Sequence, residues 1–212
     1  MKTGILWDLD GTLLDTLEDL TRGVNYAMDK MGYPRWTKGD VCGFVGNGAR
    51  RLIERAIPEG ADPDAVLAAF HEYYDVHCLD NTGPYTGIVK VLEELSGKYP
   101  MAIVSNTPHV AVVPLCGKYF PGIHARGESA ECPRKPAPDM VLKTMADLGL
   151  ERCVYVGDSE VDVLTAKNAG VPCLSVLWGF RNRQELEAAG ADHFCEKTED
   201  LAETLEAMIA EM

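Results

Sequence analysis

The sequence lacks long apolar runs and has little positive charge relative to negative charge. None of its apolar runs approaches the roughly 20 residues that a membrane-spanning helix needs. Asp and Glu number 33 against 20 Lys and Arg, which gives a formal net charge of −13. Because nucleic acids and anionic membrane surfaces attract basic patches, this charge balance argues against either partner. The first apolar stretch meets Asp8 too early for a signal peptide, so we expect a cytoplasmic protein.

Closely spaced cysteines are also missing. The seven cysteines are scattered along the chain, odd in number and never two or three residues apart. This pattern argues against both a zinc knuckle and a disulfide framework. We expect reduced thiols that pack as small hydrophobic side chains, with a reactive thiol as the alternative.

Short apolar, β-prone runs alternate with amphipathic stretches along most of the chain. The runs cover residues 4–7, 101–104, 154–156 and 171–177, with a weaker one at 193–195. Helix-like stretches lie near residues 88–96, 138–148, 160–169, 183–189 and 198–208. Strands with little internal alternation, separated by helices, predict an α/β fold with a doubly wound parallel sheet covered on both faces. The ligand site of such a sheet lies beyond the carboxyl ends of its strands.

One segment after the first strand departs from this alternation. Residues 15–79 show helical periodicity and no convincing strand, beginning with apolar residues at three- and four-residue steps from Leu17 to Met31. The stretch 81–87, which contains Gly and Pro, predicts a return linker. We therefore expect an all-helical insert over residues 15–83, within a core formed by residues 1–14 and 84–212.

Acidic residues follow two of the predicted strands. Asp8 and Asp10 leave the first strand on the same side, and Gly11 follows where the chain must turn tightly. Asp158 follows the third strand, with Asp162 one helical turn further on. Carboxylates this close repel each other unless a cation or a shared proton intervenes, and oxygen ligands suit Mg²⁺. The alternatives are an Asp-Gly turn with solvated side chains, and a helix cap by Asp158 or Ser159 with Asp162 exposed.

Groups suited to an anion follow the second strand and occupy a later loop. The Ser105 hydroxyl and the backbone N–H groups around Asn106, at a predicted helix start, form a natural phosphate site. Lys135, held between prolines, is a stiffly presented positive charge that can neutralise phosphate and carboxylates together. The alternatives are ordinary helix capping by Ser105 and Asn106, and an exposed loop lysine.

These fragments occur in an order that resembles a known family. The four are DLDGT (8–12), SNT (105–107), RKPAPD (134–139) and GDSEVD (157–162). They resemble the four signature motifs of the haloacid dehalogenase-like phosphohydrolase superfamily. This resemblance implies a Rossmann-like core, and the helical insert resembles the first type of cap domain in that family. Three further stretches look like phosphoglycolate phosphatase-type members: VGNGAR (45–50), PYTG (84–87) and WGFR (178–181).

The resemblance implies a Mg²⁺-dependent phosphatase that works through an aspartyl-phosphate. By similarity, Asp8 is the nucleophile, and Asp10 is the general acid and then the base. The same similarity places Mg²⁺ on the Asp8 carboxylate, the Asp10 backbone carbonyl and Asp158, with Asp162 supporting the metal shell.

The remaining expected site residues bind the substrate. By similarity, those that hold or adjoin the phosphoryl group are Gly11, Thr12, Ser105, Asn106 and Lys135. In the insert, Gly48 precedes a predicted helix and Arg50 offers a clamp for a substrate carboxylate. The alternative reading of these two is a flexible glycine and a solvated helix face.

The expected partner is a small phosphorylated metabolite, with phosphoglycolate as the first expectation. Sugar phosphates, nucleoside monophosphates and pyrophosphate stay open as substrates. A phosphotransferase of the phosphoglucomutase type shares the same four motifs and is the enzymatic alternative. A non-catalytic binding protein on this fold is the alternative from another class, but the sequence retains every expected nucleophile and metal ligand. Monomer and homodimer both remain open.

Overall fold

The chain forms two compact units, one helical and one built on a sheet. The structure, a computed structural model, describes residues 1–109 and 111–212, and of residue 110 only the backbone. The larger unit comprises Met1–Leu14 and Pro84–Met212, and the helical unit comprises Asp15–Gly83.

Eight strands and ten α-helices make up the described chain. In chain order they are β1 (Thr3–Trp7), β2 (Leu14–Asp15), α1 (Leu17–Met31), α2 (Lys38–Phe44), α3 (Gly48–Ala56), α4 (Pro63–His77), β3 (Gly83–Pro84), α5 (Ile88–Ser96), β4 (Met101–Pro108), α6 (His109–Tyr119), β5 (His124–Glu128), α7 (Asp139–Leu148), β6 (Arg152–Gly157), α8 (Glu160–Ala169), β7 (Cys173–Val176), α9 (Arg183–Ala189), β8 (His193–Cys195) and α10 (Leu201–Glu211). A 3₁₀ turn precedes α10.

The larger unit is built on a six-stranded parallel sheet in the order β5-β4-β1-β6-β7-β8. Strand β1 lies in the middle, where Ile5 pairs with Met101 of β4 on one side and Val154 of β6 on the other. Successive β1 residues face opposite sides, so Ile5 and Leu6 belong to two separate hydrophobic clusters. The chain reverses direction across the sheet at β1, which is where such sheets place their ligands. The predicted doubly wound α/β fold class is confirmed.

The helical unit contains α1 to α4. Helix α1 buries Val24, Ala27 and Met28 along one face, as the three- and four-residue spacing predicts. Asp62 is the N-cap residue of α4, and its side chain accepts a hydrogen bond from the Asp64 N–H. Asp19 of α1 is almost fully buried. Its carboxylate accepts four hydrogen bonds from the backbone and side chains of the residue pair 81–82, which ties α1 to the end of the unit.

Several elements were not predicted from the sequence. Strand β5 has the sequence HARGE, with a single apolar residue, because it lies at the edge of the sheet. Helix α6 is apolar without a 3.6-residue pattern, and it contains Pro114, a residue that argues against a helix when only the sequence is known. Helix α2 has seven residues, two of them glycines. The predicted linker 81–87 contains β3, which pairs with β2 in a separate two-stranded sheet.

Five of the seven cysteines are buried and form no disulfide. Burial raises the pKa of the Cys116 and Cys153 thiols to about 12, so these groups stay protonated and pack as small hydrophobic side chains. None of the described helices is both long and apolar enough to cross a membrane.

Candidate active site

The turn after β1 places Asp8 in the interior. The Asp8 N–H donates to the Val156 carbonyl at 2.8 Å, which continues the parallel pairing one residue past β1. The chain then folds back, because the N–H groups of Leu13 and Leu14 both donate to the Leu9 carbonyl at 3.0 and 2.9 Å. The turn uses Gly11 at φ +87°, a conformation that favours glycine. Only 6% of Asp8 stays exposed, so this is not a turn with a solvated aspartate.

Three carboxylates converge at the centre of the sheet. Asp8 follows β1, Asp158 follows β6, and Asp162 lies in the first turn of α8. One oxygen from each lies within 4.8 Å of the others, and all three side chains are buried. Ser159 is the N-cap residue of α8, and Asp162 Oδ2 accepts hydrogen bonds from the Ser159 N–H at 3.1 Å and from its hydroxyl at 2.6 Å. The reading that left Asp162 exposed is wrong, since its exposure is 0%.

Glycines allow the backbone to approach these carboxylates. A Cβ on Gly11 would lie 2.3 Å from Asp158 Oδ2, and one on Gly179 would lie 2.3 Å from Asp158 Cβ. A Cβ on Gly157 would lie 2.3 Å from the Cβ of Asp162. These distances are shorter than any normal contact. The acidic cluster therefore requires glycine at all three positions.

Two donors fix the orientation of Asp158. The Thr12 hydroxyl donates to Oδ1 at 2.9 Å, and the backbone N–H of Phe180 donates to Oδ2 at 2.7 Å. The indole N–H of Trp178 in turn donates to the Thr12 carbonyl at 3.0 Å. Thr12 was expected beside a phosphoryl group. The structure places its hydroxyl on Asp158, where it orients a potential metal ligand.

Lys135 lies inside the cluster rather than on an exposed loop. Its side chain is 3% exposed. The ammonium group donates to Asp8 Oδ1 at 2.6 Å, to Asp162 Oδ1 at 2.7 Å and to the Tyr155 hydroxyl at 3.0 Å. Asn106 holds the Lys135 backbone from both sides, because its Oδ1 accepts from the Lys135 N–H at 2.7 Å and its Nδ2 donates to the Lys135 carbonyl at 3.2 Å. The exposed-lysine alternative is wrong.

The cluster contains three carboxyl groups and one ammonium group. Burial raises the pKa of Asp8 well above its usual value, and the charge of Asp162 raises it further, against the opposing effect of Lys135. Burial and Asp162 together raise the pKa of Asp158 to about 7. Burial alone would lower the pKa of Lys135, but Asp162 and Asp8 outweigh it and raise that pKa well above its usual value. A buried site with surplus carboxylate oxygens fits a hard divalent cation such as Mg²⁺.

Asp10 is held by hydroxyl groups from β4. Ser105 Oγ donates to Asp10 Oδ2 at 3.2 Å, and Thr107 Oγ1 donates to the same oxygen at 3.1 Å. The Thr107 N–H donates to Ser105 Oγ at 3.0 Å. The helix-capping alternative is wrong, because Ser105 and Asn106 lie within β4 and the described residues supply no side-chain cap for α6. The structure thus brings Asp10, which follows β1, next to Ser105 of the neighbouring strand β4.

Gly48 and Arg50 lie in the helical unit. Gly48 opens α3 with φ at +77°. Arg50 is exposed, and its guanidinium contacts Asp64 Oδ1 at 2.6 Å and Glu54 Oε1 at 3.3 Å. Their expected role in substrate recognition stays a prediction.

Sequence reasoning assigned no role to Tyr155, Thr107 or the Phe180 N–H. Tyr155 is fully buried in β6, with its hydroxyl 3.2 Å from Asp162 Oδ1 as well as next to Lys135. A phenol inside the apolar run 154–156, three residues before Asp158, was the available signal. Thr107 follows the Ser105-Asn106 pair directly, which was a signal for its position. The Phe180 N–H lies 22 residues from Asp158 in the sequence, and no sequence pattern indicates their contact.

Comparisons with known proteins assign the chain to a family. The family model described as haloacid dehalogenase-like hydrolase matches residues 5–176. Phosphoglycolate phosphatase 1 of Pseudomonas aeruginosa is 35% identical over 84% of this chain and 70% of its own length. The phosphoglycolate phosphatase of Mesorhizobium japonicum is 32% identical over 95% of each chain. A crystal structure of a candidate phosphoglycolate phosphatase from Lactobacillus delbrueckii subsp. bulgaricus superposes with a TM-score of 0.91 at 36% identity, covering 97% of this chain and 99% of that one.

The fold, the order of the motifs and these similarities agree. The predicted resemblance to phosphoglycolate phosphatase-type members is confirmed. The chain therefore belongs to the haloacid dehalogenase-like hydrolase family, as an enzyme of the phosphoric monoester hydrolase class.

Proposed function

We propose that the chain is a Mg²⁺-dependent phosphatase that hydrolyses phosphoglycolate, or a similarly small phosphomonoester, through an aspartyl-phosphate on Asp8. The observation that carries this proposal is the buried cluster in which Lys135 contacts Asp8 while Asp158 lies alongside. The names of the relatives support the choice of substrate. We further propose that residues 1–14 and 84–212 are the catalytic core and residues 15–83 the cap.

The residues that would hold Mg²⁺ are the carboxylates of Asp8 and Asp158 and the backbone carbonyl of Asp10. Asp162 supports this shell instead of joining it, because each of its oxygens already accepts two hydrogen bonds. Oδ1 accepts from Lys135 and the Tyr155 hydroxyl, and Oδ2 accepts from the Ser159 N–H and hydroxyl. When bound, Mg²⁺ supplies positive charge that neutralises the phosphoryl oxygens and the acidic cluster.

Asp8 attacks phosphorus with one carboxylate oxygen, and the bond to the leaving alkoxide breaks. Lys135 orients Asp8 and offers positive charge to the phosphoryl oxygens, where positioning and charge stabilisation dominate catalysis. The Ser105 hydroxyl, the Asn106 backbone amide and the turn at Gly11 complete the phosphoryl site. Asp10 protonates the alkoxide and then takes a proton from the water that hydrolyses the aspartyl-phosphate.

The proposal predicts phosphate release that depends on a divalent cation. We expect phosphoglycolate to give the highest kcat/KM in a panel that also contains sugar phosphates, nucleoside monophosphates and pyrophosphate. Chelation with EDTA should abolish release, and added Mg²⁺ should restore it, since the surplus of buried carboxylates needs a cation. The measurement is a phosphate-release assay with the purified chain.

Three results would count against the proposal. Phosphate release that is undiminished in EDTA would show that the reaction does not depend on a divalent cation. Preference for a large substrate over phosphoglycolate would overturn the substrate assignment. Interconversion of glucose phosphates without net phosphate release would favour the phosphotransferase instead.

A further inference from the structure

Two hydroxyl groups donate to the same oxygen of Asp10. Ser105 Oγ and Thr107 Oγ1 lie 3.2 and 3.1 Å from Oδ2. Ser105 Oγ also accepts from the Thr107 N–H, so the directions of these bonds agree with hydroxyls that donate to the carboxyl group. Both of these hydrogen bonds fall on Oδ2 rather than on Oδ1. The two oxygens of Asp10 are therefore chemically unequal.

This inequality decides which oxygen holds the proton of a protonated Asp10. A carboxyl oxygen has two lone pairs, and two hydroxyl donors occupy both of them on Oδ2. A proton on the carboxyl group then resides on Oδ1. Oδ2 stays an acceptor, and Oδ1–H becomes a donor with a fixed direction.

We infer that Thr107 is a positioning residue that keeps the acidic proton of Asp10 on Oδ1, an inference that rests on the proposed role of Asp10 as general acid. Under that proposal Ser105 also binds the phosphoryl group, so substrate competes for its hydroxyl. Thr107 has no such second assignment. It is the donor that stays on Oδ2 during the reaction.

The reacting ester is an alkyl phosphate. An oxygen of Asp8 forms a bond to phosphorus while the bond between phosphorus and the alkyl oxygen breaks. The electron pair of that bond goes to the alkyl oxygen, which takes the proton from Asp10 Oδ1. Asp10 becomes a carboxylate, and Thr107 still donates to its Oδ2. The water that later attacks the aspartyl-phosphate returns a proton to Asp10.

Replacing Thr107 by Val tests this inference, because Val keeps the shape and removes the hydroxyl. We expect kcat/KM for phosphoglycolate, an alkyl ester, to fall about tenfold, as the loss of one hydrogen bond to a charged group implies. We expect kcat/KM for p-nitrophenyl phosphate to change less than about twofold, since its leaving group departs without protonation. Thr107→Ser restores the hydroxyl and should behave like the parent enzyme.

Asp10→Asn distinguishes the proposed acid role of Asp10 from the positioning role of Thr107, when kcat/KM is measured for both esters in parallel. If Asp10→Asn spares the aryl ester but Thr107→Val slows both esters equally or neither, Thr107 does not position the acid and the inference fails alone. If Asp10→Asn lowers kcat/KM equally for both esters, the proposed role of Asp10 as general acid fails, and the inference fails with it. Circular dichroism and thermal melting check that each variant is folded, and Thr107→Ala replaces Thr107→Val if the valine does not fit.

Discussion

Asp8→Asn is expected to lower phosphate release by a factor on the order of 10⁴ or more while the protein stays folded. The amide has the shape of the carboxyl group but cannot attack phosphorus to form an aspartyl-phosphate. It also removes one of three buried carboxyl groups whose oxygens lie within 4.8 Å of each other. Repulsion in the cluster therefore decreases, and the melting temperature without divalent cation should stay the same or rise.

Asp192→Asn is the matched control for this change. It also removes one carboxylate, but its side chain is 80% exposed and contacts only the neighbouring His193 among the described ion pairs. We expect full activity from it. Phosphate release by Asp8→Asn within tenfold of the parent enzyme would show that another group is the nucleophile.

Lys135→Met is expected to reduce both activity and stability. Without the ammonium group, Asp8 and Asp162 lose a partner at 2.6 and 2.7 Å and stay buried. Removing one partner from a buried ion pair costs about 3 kcal/mol of unfolding free energy or more. Phosphate release should fall by a factor on the order of 10³, since positioning and positive charge dominate phosphoryl transfer. Denaturant unfolding and phosphate-release assays measure the two effects.

Magnesium makes the stability test more specific. We expect Mg²⁺ to recover part of the stability lost in Lys135→Met, because a cation bound to Asp8 and Asp158 offsets the same excess of negative charge. Lys143→Met, an exposed lysine on α7, is the control and should show neither loss. An Lys135→Met variant as stable as the parent in EDTA would contradict the electrostatic account of the cluster.

The sheet could be predicted because its central strands are buried on both faces. Apolar runs marked β1, β4, β6 and β7, and helices α8 and α9 have the predicted bounds. Strand β5 and helix α6 could not be predicted, since an edge strand needs few apolar residues and α6 lacks a helical pattern. Periodicity reports burial on one side, and it fails where an element is exposed or apolar all round.

The acidic part of the site could be predicted from topology alone. Residues after the carboxyl ends of neighbouring parallel strands meet at one edge, so Asp8 and Asp158 had to lie close together. Lys135 and Tyr155 could not be placed this way. Lys135 belongs to a loop between β5 and α7, and its path into the cluster depends on tertiary contacts with Asn106. The Phe180 N–H that donates to Asp158 is a backbone group, and every residue except proline has one, so the residue type could not indicate this contact.

The position of the bound divalent cation distinguishes the proposed site from any other. A crystal grown with Mn²⁺ in place of Mg²⁺ gives an anomalous scattering peak wherever the divalent cation binds. The proposal predicts one strong peak within coordination distance of the Asp8 and Asp158 carboxylates and the Asp10 carbonyl, with Lys135 still beside Asp8. A vacant acidic cluster in crystals of the active enzyme, with Mn²⁺ bound elsewhere, would contradict it.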